Sequence, residues 1–178
     1  ILCRDSCPTW RDDIYLEYKN NRKTTHYGPF IKDLYKAIES NKVFNKTLRI
    51  KKAEADDIIA VLAFYYVKDS DIYIVSNDKD FKQLSSEFNN VYLLDNSKFS
   101  IDENINEDEL FTKIINGDKS DNIKKLPKDY TTSQYLFNKQ LIDLSYTPRY
   151  IQDDIFRTKL FPLTSNTKPL NIQLGYAC

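Results

Sequence analysis

Carboxylates gather at four places along these 178 residues: Asp5; Glu54, Asp56 and Asp57 in the string EADD; Asp78 and Asp80 in DKD; and Asp118 and Asp121 in DKSD. Acids drawn together from separate segments repel, by about 4 kcal/mol per pair at 4 Å and an effective dielectric near 20. A folded chain that collects them needs cations between them, and hard divalent ions with oxygen ligands suit such a set. Spacing adds chemical content. On a helix Glu54 and Asp57 share a face while Asp56 projects differently, so the helix can offer an acid to each of two ions or use one to orient a ligand. Asp78 and Asp80, two apart on an extended turn, suit bridging a pair of ions. Two ions about 3.5–4 Å apart clamp the attacking and leaving oxygens of phosphoryl transfer, chemistry that needs carboxylates and no nucleophilic side chain. The sole histidine, His26, has no evident acid partner and reads as a surface residue. Each cluster alone also has a plainer use: Glu54, Asp56 and Asp57 as complement to a helix N-terminus, Asp78 or Asp80 as a cap.

The elements that must position these acids are read from hydrophobic periodicity. Strands are predicted over 1–4, 47–50, 71–76 and 91–94, the third a continuous β-branched and aromatic run of the kind buried on both faces. Helices are predicted over 29–40, 53–67, 80–86, 107–116, 135–144 and 150–161. In the helix over 53–67, Ile58, Ile59, Leu62, Ala63 and Tyr66 line one face. In that over 107–116, Leu110, Phe111, Ile114 and Ile115 point inward and Gly117 suits a C-terminal cap. The stretch 6–22 reads as irregular and partly exposed. Alternation of strand and helix makes an α/β fold, an open, mainly parallel sheet flanked by helices, the economical architecture. Sites in such sheets form outside the carboxyl ends of the strands. Asp5 and the Asp78/Asp80 pair follow two predicted strands, so they should share one rim.

Bulk composition narrows the classes. Lys plus Arg and Asp plus Glu each total 26, so no global basic field argues for a polyanionic partner, and any such binding must come from local patches. Cys3, Cys7 and Cys178 show neither a CxxC pair nor a Cys/His ligand spacing, which fits a reducing compartment. No stretch approaches the roughly 20 apolar residues that span a bilayer, so a soluble, intracellular protein with no membrane partner is expected. The start at Ile1-Leu2-Cys3-Arg4 reads as a strand already under way, and hence as a fragment.

The strings KKAEADDIIAVLA, IVSNDKDFKQL and NGDKSDNIKKLP, in that order and spacing, resemble the 5′ nuclease family, in particular phage-type 5′ to 3′ exonucleases and flap endonucleases of the phage RNase H kind. The resemblance covers roughly residues 1–127 and implies a PIN-like core. It implies two Mg²⁺ ions, with Mn²⁺ as a substitute. Asp5, Glu54, Asp56 and Asp78 would form the tighter site and Asp80, Asp118 and Asp121 the second, with Asp57 an acid of the same motif. It also implies that Lys19 and Arg22, in the YKxxR string over 18–22, contact the scissile phosphate as catalytic residues. Tyr15, Tyr18 and Tyr27 could stack on bases or pack a core edge. A solvated charge run is the plain alternative for residues 17–23.

Set against the family, the chain begins after the strand and helix that carry the first metal aspartate. The stretch 124–145 is also too short for the helix-hairpin-helix region that grips duplex. The expected organisation is thus an N-terminally truncated catalytic core over 1–123 and a shortened helical C-terminal region over 124–178. The resemblance implies a monomeric, Mg²⁺-dependent nuclease acting on DNA with a 5′ flap, a nick or an RNA primer. It would work beside replication proteins in the cytoplasm of a phage-infected bacterium. The rival from another class is a catalytically inactive nucleic-acid-binding remnant. A phosphatase-like hydrolase is the third alternative, disfavoured because no nucleophilic aspartate motif is identifiable.

Overall fold

The computed structural model describes residues 1–22, 28–94, 108–158 and 170–174, the last as backbone. At its centre lies an all-parallel five-stranded sheet in the order β2-β1-β5-β3-β4. The strands are β1 (Leu2–Arg4), β2 (Thr47–Arg49), β3 (Ile72–Val75), β4 (Val91–Leu94) and β5 (Leu170–Leu174). The middle strand is the last in sequence. β5 pairs with β1 through Leu2↔Gln173 and with β3 through Ile74↔Ile172, joining two pairs that neighbour each other early in the chain. On β3 and β4 buried and half-buried positions alternate, so Ile72, Ile74, Val91 and Leu93 enter the core. Tyr73 and Tyr92, paired in register, stack with ring centres 5.0 Å apart, an arrangement worth about 0.5–1.5 kcal/mol beyond the area it buries. β3 is therefore not buried on both faces, as its apolar run suggested.

Helix α3 (Ala55–Tyr66) is the spine of the molecule. Ala55 and the unbroken run Asp57 to Ala63 are buried, so apolar residues surround the helix instead of forming one stripe. It packs on β1 and β3 and also meets α7 (Arg149–Arg157) and the 3₁₀ turn Leu144–Tyr146. Ile151 and Ile155 of α7, both fully buried, join Ile58, Ile59 and Leu62 in one core. Each such side chain contributes about 1.5–3 kcal/mol by leaving water. Residues on either side of position 123 thus share a core.

A second cluster gathers Tyr18, Ile114, Ile123, Leu141 and Ile142, joining α5 (Asp108–Asn116) to α6 (Thr132–Ile142). Phe111, expected to point inward, is 53% exposed and reaches Tyr135 at its edge. The apolar stripe of α2 (Gly28–Ser40) also stays outside the core, with no residue of that helix buried. The predicted end of the helix over 150–161, His26, Tyr27, Cys178 and the first residue of the helix over 107–116 lie outside the described residues.

The stretch 6–22 is more ordered than its composition suggested. Trp10–Ile14 forms a helix, α1, and Trp10, Arg11 and Tyr18 are buried. The reason is tertiary: Trp10 and Arg11 bond to an acid of α3, and no local periodicity announces that.

Candidate active site

Strand ends and helix starts bring the acids to one rim. Asp5 leaves β1 and accepts a hydrogen bond from the Ala55 N–H at 2.7 Å, tying the strand to the first turn of α3. Asp78 follows β3 and accepts from the Asp80 N–H at 2.9 Å, capping the 3₁₀ turn Lys79–Phe81 that leads into α4 (Lys82–Glu87). Asp118 follows α5 through Gly117, whose φ of +70° ends the helix. Between Asp118 and Ile123 the chain closes on itself with N–H to carbonyl bonds of 3.0 and 2.7 Å. Asp118 Oδ1 accepts from the Ser120 N–H at 2.8 Å and its hydroxyl at 2.6 Å.

That loop is laced to the segment over 15–22. The Lys19 N–H donates to the Asp121 carbonyl at 3.0 Å, Tyr15 Oη to the Asn122 carbonyl at 2.9 Å, and Asn122 Nδ2 to the Glu17 carbonyl at 2.8 Å. Lys19 sits at φ 53°, a left-handed conformation uncommon for a lysine and held here by those flanking bonds. Its ammonium pairs with Glu54 Oε1 and lies 4.0 Å from Asp121 Oδ2. Arg22 Nη2 pairs with Asp121 Oδ1 at 2.6 Å. The two predicted cations therefore stand at the acidic rim.

Glu54, Asp56, Asp80, Asp118 and Asp121 line one cavity of about 20 Å³ with Arg11, Tyr18 and Lys113, room for roughly one water or ion. Asp56 is the least compensated. Burial, then the charges of Glu54, Asp78 and Asp5, push its carboxyl well above the usual range, against an opposing pull from Lys19. Glu54 behaves otherwise: burial works against its ionisation, but Lys19 and Arg11 outweigh that and hold its carboxyl low. Burial also raises Asp80 despite Lys113. Asp118 is held at about 2, because Lys113 and Ser120 outweigh the effect of its burial.

Asp57 is turned away from this cavity. Its Oδ2 accepts from Trp10 Nε1 at 3.0 Å and from the Glu54 N–H at 2.9 Å. Its Oδ1 accepts from Arg11 Nη1 at 2.9 Å. The same Arg11 nitrogen reaches Glu54 Oε2 at 2.9 Å. Tyr18, buried, has its hydroxyl 2.9 Å from Glu54 Oε2 and 3.2 Å from Asp121 Oδ2. It packs the core edge.

Among the described residues no group of three or more His, Cys, Asp or Glu stands in a metal-holding arrangement. Lysines and arginines lie between the acids. Lys113 pairs with both Asp80 and Asp118, as Lys19 does with Glu54 and Asp121. Sequence reasoning missed Arg11, Trp10 and Lys113. A cation in the last turn of α5, five residues before Asp118, was the one legible signal among them.

Residues 1–115 match the family model described as the 5′-3′ exonuclease, N-terminal resolvase-like domain. The chain belongs to this family. Among 5′-3′ exonuclease relatives, that of Buchnera aphidicola from Acyrthosiphon pisum is 31% identical over 185 aligned positions, covering 98% of this chain and 62% of that protein. Ribonuclease H of enterobacteria phage T4 is 32% identical over 137 positions, covering 69% and 45% respectively. The chain therefore spans between 45% and 62% of the length of these two relatives. A phage T5 protein co-crystallised with metal ions superposes with a TM-score of 0.70 at 18% identity, covering 89% of this chain and 84% of that one. The phage T5 flap endonuclease in a complex with DNA and metal ions gives 0.64, also at 18% identity, covering 89% and 81%. At that identity the likeness establishes the fold, and it agrees with the α/β, PIN-like architecture expected from the sequence.

Proposed function

We propose that the protein is a Mg²⁺-dependent 5′ nuclease that hydrolyses phosphodiesters with two ions, Mn²⁺ serving as a substitute. The observation that carries this is the convergence of Glu54, Asp56, Asp80, Asp118 and Asp121 on one cavity, with Asp5 and Asp78 in the field of Asp56. The donor set is all carboxylate, and it holds more negative charge around Asp56 than Lys19 balances, which suits a hard divalent cation. Asp5, Glu54, Asp56 and Asp78 would hold one ion and Asp80, Asp118 and Asp121 the other. Bound there, the ions would supply an activated water and neutralise charge on the phosphate.

The chain's own cations have a separate task. Lys19 and Arg22, carried on a backbone locked to the loop over 118–122, would meet phosphate oxygens at the mouth of the cavity. Preorganised charges of this kind lower barriers by about 3–4 kcal/mol, or 10²–10³ in rate. They contact backbone and not bases, so they orient a strand without reading its sequence. Asp57 would act as a positioning residue, fixing Arg11 and through it Glu54, instead of holding metal. The catalytic core would take in residues on both sides of position 123, because α7 shares the core of α3 and β5 stands between β1 and β3 in the sheet.

The substrates we propose are DNA with a 5′ flap or nick, and RNA-primer hybrids. Support comes from similar proteins, a ribonuclease H and a flap endonuclease complexed with DNA and metal. In this reading the protein acts as a monomer beside replication proteins in the cytoplasm of an infected bacterium. The second reading, an inactive nucleic-acid-binding remnant, is favoured by one observation: Lys19, Lys113 and Arg22 already neutralise acids of the cluster.

Cleavage of a 5′-flap DNA and of a primer hybrid, with and without Mg²⁺ or Mn²⁺, separates the two. The nuclease gives metal-dependent products that Asp78→Asn abolishes. Binding of the flap without cleavage in any metal establishes the remnant, and hydrolysis of a small phosphate ester alone refutes both.

A further inference from the structure

We infer that Lys113 is a resident counter-cation that competes with divalent metal for Asp80 and Asp118, so that removing it tightens metal binding. The inference rests on the proposal that these acids hold an ion. Its observation is separate: the Lys113 ammonium pairs with Asp80 Oδ1 and lies 2.8 Å from Asp118 Oδ2, joining an acid that follows β3 to one that follows α5. One positive charge thus occupies the space between two carboxylates from distant segments. A divalent ion held by the same oxygens and the lysine are alternative partners, since like charges at such range exclude each other.

The lysine also has somewhere to go. Lys113 lines both the acidic cavity and an adjoining groove of about 310 Å³, whose lining includes Leu84, Leu110 and Leu144 and the acids Glu87, Glu109 and Asp143. Its side chain is 27% exposed, between Asp118 at 13% and Asp80 at 32%, so the ammonium is in contact with solvent where it bridges the two acids. Swung toward the groove, its ammonium would leave the space between Asp80 and Asp118 to the ion. Without metal it holds the acids together; with metal it gives way.

Calorimetric titration with Mn²⁺ alone, in the absence of nucleic acid, tests this. Partly exposed ion pairs carry modest energies, so releasing two of them tightens the weaker Mn²⁺ site roughly three- to tenfold in Lys113→Gln. Lys113→Arg, which keeps the charge, retains wild-type affinity. The metal-free Lys113→Gln protein melts lower than wild type, and Mn²⁺ raises its melting temperature by a larger increment. Equal or weaker Mn²⁺ affinity in Lys113→Gln, in a protein whose circular dichroism matches wild type, overturns the inference alone. Should Asp118→Asn leave Mn²⁺ affinity and stoichiometry unchanged, the metal assignment falls and the inference with it.

Discussion

Arg11 and Asp57 meet in the core with Nη1 2.9 Å from Oδ1 and side chains 3% and 0% exposed. The same nitrogen holds Glu54, so one guanidinium connects α1 to the first turn of α3 and aims an acid into the cavity. Burial lowers the tendency of Arg11 to stay charged, but Asp57 and Glu54 overcome this and bind its proton more tightly than usual. Arg11→Met leaves two carboxylates buried without that partner, a loss of about 3–5 kcal/mol. Urea unfolding of the metal-free protein measures it, and a change under 1 kcal/mol contradicts the assignment. Replacing Arg11 and Asp57 together should cost less than the sum of the single changes.

Gly117 has a geometric demand of its own. A Cβ there would stand 2.4 Å from the Ile123 carbonyl oxygen and 2.6 Å from the Lys124 carbonyl carbon, at φ +70°. Both neighbours are backbone, so neither yields cheaply. Gly117→Ala should destabilise by more than the roughly 1 kcal/mol of an ordinary left-handed penalty and displace Asp118. The expected result is a lowered melting temperature together with weakened Mn²⁺ binding. Wild-type values for both would show that the loop relaxes freely.

Acid should unfold the metal-free protein in part through Asp118. Its carboxyl is held at about 2 in the fold, against about 3.9 in an unfolded chain. A depressed folded value means stability that is present above about pH 4 and is lost as pH falls toward 2, at most about 2.6 kcal/mol before allowing for solvent. In chelator, Asp118→Asn should therefore be less stable than wild type at pH 7, and the difference should vanish near pH 2. A gap that stays constant across that range points to another cause.

Thiol chemistry should divide sharply. Burial pushes the Cys3 thiol up to about 12, whereas Cys7 is exposed. Thiolate is the reactive form. Iodoacetamide at pH 8 should modify Cys7 in the native protein and reach Cys3 after denaturation, as peptide mass spectrometry would report. Native labelling of Cys3 at the rate of Cys7 would mean that β1 opens.

Much of this architecture is written in local pattern. The helix over 53–67, the strands over 71–76 and 91–94 and the capping glycine after α5 follow from periodicity and residue type, because a 3.6-residue repeat or a β-branched run has one economical way to bury itself. The acids were legible too, as clusters at predicted element ends. Tertiary structure decided what each acid faces. Asp56 and Asp57 are neighbours in one motif, yet Asp56 lines the cavity while Asp57 bonds to Trp10 and Arg11. The placement of Arg11 and of β5 in the middle of the sheet, and the meeting of Lys113 with Asp80, all depend on partners more than 30 residues away. Sequence determines which residues can carry charge and which surfaces must leave water; only the closed fold determines which charges meet, because Coulomb attraction acts through space and not along the chain.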